Sequence, residues 1–310
     1  MAKIQHIGFK HFEWINISRP DNESIHFLRQ NFKFHPLDLE ECLSPNQRTK
    51  IDTYDDYCFL VIILPIYNRK TREIKNGEID FFISKKFIIS LYREEFPVFN
   101  EHFRLLELST DLRDKYNDHS PERLLYEIMN KLLLYCFPMI DHLITDCDNI
   151  EKAIFAKKEE KMISEILLIR RNITDYRKIM QVHKNTLKKL ITFLKDSPMF
   201  IMKKTDIYFE SLIDYTKEIW DTLENLKERI EALQQTNESQ ISYHLSSIMK
   251  TLTMISVMTF PLSLIAAIFG MNTVSSMPFI DNAFGFWIIL IIMSSAALFM
   301  ILFFKKRRWM

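Results

Sequence analysis

A pair of adjacent acids, Glu40-Glu41, and a stripe of small and polar residues inside an uncharged segment are where this sequence could do chemistry. Counting from Ser246 in steps of three or four gives Met249, Leu252, Ser256, Phe260, Ser263 and Ala267, ending near Asn272. At about 3.6 residues per turn these positions share one helix face. Such a stripe suits a packing face between helices, which favours small residues, or the wall of a conduit built from several copies. Spacing alone leaves both open. Gly270-Met271-Asn272 closes the segment, and taken alone Gly270 is an ordinary helix C-cap with Asn272 beside it. Glu40 and Glu41 taken alone are a solvated helix face.

Other chemistries lack their residues. Cys42, Cys58, Cys136 and Cys147 form no C-x-x-C pair and read as free thiols, not as a zinc site or a disulfide frame. With only 4 Gly the chain holds neither a G-x-G-x-x-G nor a Walker A string, which removes phosphate cradles. No nucleophile–base pair, metal cluster or acid dyad points to an enzyme, and no organic cofactor is expected. Lys plus Arg number 41 against 40 for Asp plus Glu, so a nucleic-acid partner held by global basic charge is excluded. A hydrophobic content of 47% excludes disordered and low-complexity classes.

The stripe must be positioned by a membrane span. Residues 251–270 read TLTMISVMTFPLSLIAAIFG and residues 283–304 read AFGFWIILIIMSSAALFMILFF, both without a charge. Each is long enough to cross a ~30 Å hydrocarbon core at ~1.5 Å per residue. The loop between them, 271–282, has no Lys or Arg, whereas Lys250 precedes the first run and Lys305, Lys306, Arg307 and Arg308 follow the second. The positive-inside rule therefore expects both termini in the cytoplasm and the loop outside. The basic tail, 305–310, is expected to anchor at the lipid surface. The opening MAKIQHIGFKHFEWINIS lacks the basic-then-apolar layout of a leader, so no cleaved signal peptide is expected.

Upstream the chain changes texture. Residues 1–119 read as a small α/β domain: partial alternation at 12–17, an apolar β-branched run at Cys58–Leu64, and strands at Ile79–Ser84 and Phe87–Tyr92 around Lys85-Lys86, with short helices at Asp21–Phe32 and Leu37–Leu43. Residues 120–198 read as a helical hairpin, opened by Ser120-Pro121-Glu122, kinked at Pro138 and closed near Asp196-Ser197-Pro198. From Met199 no breaker intervenes before Pro261, so a stalk over 199–250 is expected to enter the membrane as the first span, roughly 100 Å in all. Within it Leu212, Ile219, Leu226 and Leu233 recur every seven residues, with Leu223 and Ile230 interleaved. That coiled-coil-like seam must pack along its length, copies of the same chain being one candidate.

Taken together, Gly270-Met271-Asn272 at the end of the first of two C-terminal spans, Met277-Pro278 in the loop and the closing Lys305-Lys306-Arg307-Arg308-Trp309-Met310 closely resemble the CorA family of magnesium channels. Trp14-Ile15-Asn16-Ile17 with Pro20 is similar to that family's early Trp-strand and proline. His35-Pro36-Leu37-Asp38-Leu39-Glu40-Glu41, followed by Gln47-Arg48, is similar to its His-Pro-Leu and acidic pair. The likeness spans essentially the whole chain.

The resemblance implies a funnel-shaped homopentamer in the inner or plasma membrane of a bacterium. Each subunit would carry an α+β cytosolic domain built as an αβα sandwich, a stalk helix continuing into the pore helix, and an outer second span. It makes Ser246, Met249, Leu252, Ser256, Phe260, Ser263 and Ala267 pore-lining and Gly270, Met271 and Asn272 the selectivity mouth. Mg²⁺ would be both the transported and the regulatory ion, with Co²⁺ and Ni²⁺ as secondary ions. Because Mg²⁺ dehydrates reluctantly, Asn272 carboxamides and carbonyls near Gly270 would hold the hydrated ion, and Ser256 and Ser263 would be further neutral stations. Met249 and Leu252 would gate by dewetting. The sensor would join Glu40 and Glu41 to acids on a neighbouring stalk, where Glu210 and Asp214 flank the aligned Ser211.

The sequence departs from the family's pattern at three places: Asn46 replaces a histidine, Ser246 replaces a common asparagine, and the loop before Met277 lacks an acid. Zinc-handling members usually carry Gly-Val-Asn at the mouth, so Met271 favours magnesium over that alternative. A two-span receptor is the alternative from another class, but a loop of about a dozen residues is small for a ligand domain. Membrane lipid and the chain's own copies are the partners implied, with no nucleic acid and no other protein.

Overall fold

The computed structural model describes residues 2–44, 48–116, 120–156, 159–198, 200, 206–271, 278–279 and 283–307. They divide into two compact units, 1–234 and 235–310.

In the first unit, β1 (Lys3–Gly8), β2 (Glu13–Ser18), β3 (Lys50–Thr53), β4 (Cys58–Asn68), β5 (Glu73–Ile83) and β6 (Phe87–Tyr92) form one sheet in the order β1-β2-β6-β5-β4-β3. β2 and β6 pair in parallel, with Trp14 opposite Ile88, and the remaining neighbours are antiparallel. Side chains alternate faces along each strand. Trp14, Leu60, Ile62, Phe81 and Ile88 point to one apolar cluster, and Ile15, Val61, Phe82 and Ile89 to the other. Burial on both faces is why Cys58–Leu64 is an unbroken apolar run. Pro65 is accommodated in β4 because β3 pairs no farther along it than Val61. The expected hairpin is present, with the Ser84 N–H donating to Phe87 O at 2.9 Å across Lys85-Lys86.

Helices cover both faces, making an αβα sandwich. α1 (Asn22–Asn31) and α2 (Pro36–Glu41) bury Ile25, Leu28 and Leu39 on one side. α1 starts at a capping box, in which Asp21 accepts from the Ser24 N–H at 3.0 Å and Ser24 Oγ accepts from the Asp21 N–H at 2.9 Å. The other face is covered by α3 (Pro97–Leu108), α4 (Thr110–Asp114), α5 (Pro121–Leu134), α6 (Phe137–Phe155), α7 (Glu159–Met180), α8 (His183–Asp196) and the beginning of α9 (Asp206–Phe269). A single apolar cluster runs from Ile7 to Leu233. The boundaries expected at 119 and 198 therefore fall inside one unit.

The segment expected as a hairpin of two helices is four. α5 stops at Leu134 and α6 restarts at Phe137, because Pro138 lacks the N–H an interior position must donate but fits a first turn. The expected kink is thus a break. α7 and α8 are separated at Gln181-Val182, which sets α8 against β3. The expected start of the stalk at Met199 lies outside the described residues. The heptad seam packs within its own chain: Leu212, Ile219, Leu223, Leu226, Ile230 and Leu233 are buried in the large cluster. Arg229 on α9 reaches Asp148 and Glu151 on α6, both at 2.6 Å, and Arg177 on α7 pairs with Glu224 on α9.

The second unit holds the rest of α9 and α10 (Gly285–Lys306). Both helices are long and apolar enough to cross a membrane, and almost none of their apolar stretches is buried by protein. Apolar side chains that no protein covers need another apolar solvent. Pro261 sits inside α9 without ending it. At the start of α10 a Cβ on Gly285 would collide with the Phe279 carbonyl, so only glycine fits there.

Candidate ion pathway and acidic site

The acidic pair rides on a short helix anchored from below. His35 caps α2, its ring nitrogen accepting from the Leu37 N–H at 3.3 Å, and Pro36 opens the first turn. Asp38 is 2% exposed and accepts hydrogen bonds from Tyr54 Oη at 3.0 Å and Tyr57 Oη at 2.9 Å. Those two rings stack at 4.4 Å, and Tyr57 Oη also accepts from the His35 N–H at 2.8 Å. Burial pushes the Asp38 carboxyl upward, against the two phenol hydrogen bonds that favour its anion. The same burial and the Asp38 carboxylate push the Tyr54 phenol up to about 12, so it stays a donor.

Above this anchor Glu40 is exposed and Glu41 half-buried. Lys50 Nζ lies 2.5 Å from Glu41 Oε2 and 2.7 Å from Asp52 Oδ2, over the buried Phe59 ring at 5.5 Å from its centroid. Partial burial works against the Lys50 charge, but Asp52 and Glu41 outweigh it and raise the ammonium above its ordinary value. Glu210 and Asp214 lie exposed on α9. Among the described residues of one chain, no three His, Cys, Asp or Glu converge on a metal position. The four acids expected as a regulatory site are thus not gathered within a subunit. Lys50, Asp52, Tyr54 and Tyr57 were not singled out from the sequence. The alternation of KIDT with an aromatic pair just beyond was their one local signal.

Along α9, Ser246, Met249, Leu252, Phe260, Ser263 and Ala267 are exposed and Ser256 is intermediate, whereas Met254, off that face, is buried. Met249 and Leu252 are 55% and 56% exposed, one turn apart. Ser256 donates its hydroxyl proton to Leu252 O at 2.9 Å, as Thr253 does to Met249 O at 2.8 Å. A hydroxyl committed this way turns only lone pairs outward, so it offers an acceptor, the polarity a cation or its water shell needs. At the end of α9, Gly270 N–H donates to Ala266 O at 2.9 Å and Met271 N–H to Ile268 O at 3.3 Å. Asn272 and Arg308 lie outside the described residues. Lys305 and Lys306 form the last turn of α10, where cations complement the helix dipole, with Arg307 as its C-cap.

An αβα domain whose final helix runs on into an apolar, unburied segment, followed by a second apolar helix, defines an integral membrane protein with a large extramembrane domain. The chain belongs to the CorA-like Mg²⁺ transporter protein family, whose model matches residues 9–306. It is 26% identical over 299 residues to the cobalt/magnesium transport protein CorA of Thermotoga maritima, covering 96% of this chain and 83% of that protein. The complete structure of the CorA magnesium transporter from Methanocaldococcus jannaschii superimposes with a TM-score of 0.82 at 20% identity, over 98% of this chain and 94% of that one. The ZntB cytoplasmic domain from Vibrio parahaemolyticus aligns with a TM-score of 0.58 at 14% identity, over 76% of this chain and 90% of that one, a likeness of fold alone. The family is one of transporters, not enzymes.

Proposed function

We propose that this chain is one subunit of a homopentameric Mg²⁺ channel in a bacterial inner membrane, with both termini cytoplasmic. The observation that carries it is α9, one unbroken helix whose uncharged stripe ends at Gly270-Met271-Asn272. Copies arranged about an axis would turn the stripe inward. Neutral acceptors suit the task, since an ion held by carboxylates would leave slowly, and conduction needs release as well as entry. Asn272 would meet the hydrated ion at the mouth and Ser256 and Ser263 would pass it on. Met249 and Leu252 would close the path when dry. Flux would follow the membrane potential, at ~2.3 kcal/mol per charge per 100 mV and twice that for a divalent ion. Co²⁺ and Ni²⁺, as similar hexahydrates, would share the path. Cytosolic Mg²⁺ would regulate it by bridging the Glu40–Glu41 pair, chiefly through Glu40, to Glu210 and Asp214 of a neighbouring subunit.

The test is uptake by full-length protein in liposomes loaded with a Mg²⁺-sensitive dye. Wild type should fill the vesicles. Asn272→Ala should abolish uptake while leaving a pentamer by native mass spectrometry, because it removes an ion-binding ring and not a packing contact. Uptake at the wild-type rate by that variant would remove the proposal's central element.

A further inference from the structure

Of the acids in the proposed sensor, Glu41 already holds a cation that belongs to the protein. Lys50 Nζ contacts Glu41 Oε2 at 2.5 Å and Asp52 Oδ2 at 2.7 Å. Its approach is fixed from three sides. β3 carries both Lys50 and Asp52, α2 carries Glu41, and the fully buried Phe59 ring lies beneath the ammonium at 5.5 Å. The side chains are about one-third exposed, at 33% for Lys50 and 37% for Glu41, so solvent does not fully screen the contacts. An ammonium bridging two carboxylate oxygens at these distances stands where a divalent ion, at ~2.0–2.6 Å from its ligands, would draw the same two oxygens together. Glu40, the next residue back on α2, is exposed.

We infer that Lys50 is a tethered counter-cation that fills the Glu41–Asp52 carboxylate pair, withdraws Glu41 from divalent binding and leaves Glu40 to carry it. This rests on the proposed Mg²⁺ sensing only for its physiological meaning, since the block itself is a property of one chain. A tethered ion acts at a fixed effective concentration, so a free divalent ion must displace it to reach Glu41. The threshold for sensing would then be set by the protein's own lysine as well as by its acids.

The experiment is Mn²⁺ binding to the full-length protein in detergent, followed by the loss of free-Mn²⁺ electron paramagnetic resonance signal. Lys50→Met removes the charge and keeps the stem, and Lys50→Gln is run beside it in case the apolar head disturbs packing. Both should gain one Mn²⁺ per chain over wild type, bound at least about fivefold more tightly than any wild-type Mn²⁺ at this position, the low end of typical site coupling. Lys50→Arg should match wild type. Adding Glu41→Gln to Lys50→Met should abolish the gain. Isotherms of both neutral variants superimposing on wild type, or a gain that survives Glu41→Gln, would overturn the inference. Mg²⁺ inhibition of transport in Glu40→Gln reports on the sensing proposal separately, so the two can fail independently.

Discussion

Asn172 completes the backbone pairing of Ile74, accepting its N–H at 3.1 Å on a side-chain oxygen, although 98 residues separate the two. The same carboxamide donates to Arg72 O at 2.8 Å, and Asn172 is 1% exposed. One α7 side chain thereby docks the turn between β4 and β5, where Arg72 adopts a positive φ of 58° and pairs with Glu165 at 2.9 Å. Asn172→Ala leaves the buried Ile74 N–H and the part-buried Arg72 carbonyl without this partner, which costs about 2 kcal/mol. Chemical unfolding of the full chain in detergent should show that loss, and Asn172→Asp should restore only the acceptor half.

His183 supplies a pH dependence. It is fully buried at the start of α8, and burial pushes its imidazole down to about 4 from 6.5. The folded state therefore keeps it neutral while the unfolded chain protonates it below about pH 6.5. Its contribution is fully present above pH 6.5 and is lost as pH falls from there towards 4, up to about 3 kcal/mol. His102 is pushed to about 4 as well, by burial and then by Lys131, with the same sign. The thermal midpoint should fall between pH 7 and 5, less steeply in His183→Gln and least in the variant lacking both histidines. Equal slopes in all three proteins would assign the acid sensitivity elsewhere.

At the proposed constriction, Met249→Gly or Leu252→Gly removes an apolar wall and lets water in. Basal current in planar bilayers at high internal Mg²⁺ should rise severalfold for either variant. Unchanged conductance for both would mean that this face of α9 does not line the path.

Glu40→Gln should weaken inhibition by internal Mg²⁺, moving the half-inhibiting concentration up by about fivefold or more. Glu41→Gln alone should move it little, because Lys50 already neutralises Glu41. Superimposable dose–response curves for Glu40→Gln would make that residue a solvated face.

The sequence made the doubly buried strands legible because both faces demand apolar side chains, as at Cys58–Leu64. The edge strands β1, KIQHIG, and β3, KIDT, carry polar residues on their open sides and gave no run to see. The heptad seam showed that α9 must pack but not against what, since α6 and α7 present their own apolar stripes only once folded. The acid pair was visible as a motif. Its lysine was not, because a charge nine positions away looks like any solvated side chain until a turn of chain brings it back. The contacts of Asn172 are likewise silent in any local pattern.

The apolar cluster that joins Ile7 to Leu233 also fixes an order of biosynthesis. A ribosome adds about 5–20 residues per second, so every side chain of that cluster is polymerised before Thr251, where the first uncharged segment begins. The uncharged segments are thus polymerised after the whole of that cluster, and residues 251–304 emerge within about 3–10 s at that rate. On the proposed topology, translocation machinery meets a nascent chain whose bulky domain is already closing in the cytosol. On that proposed topology both spans enter late, and the folded mass stays on the side where it was made.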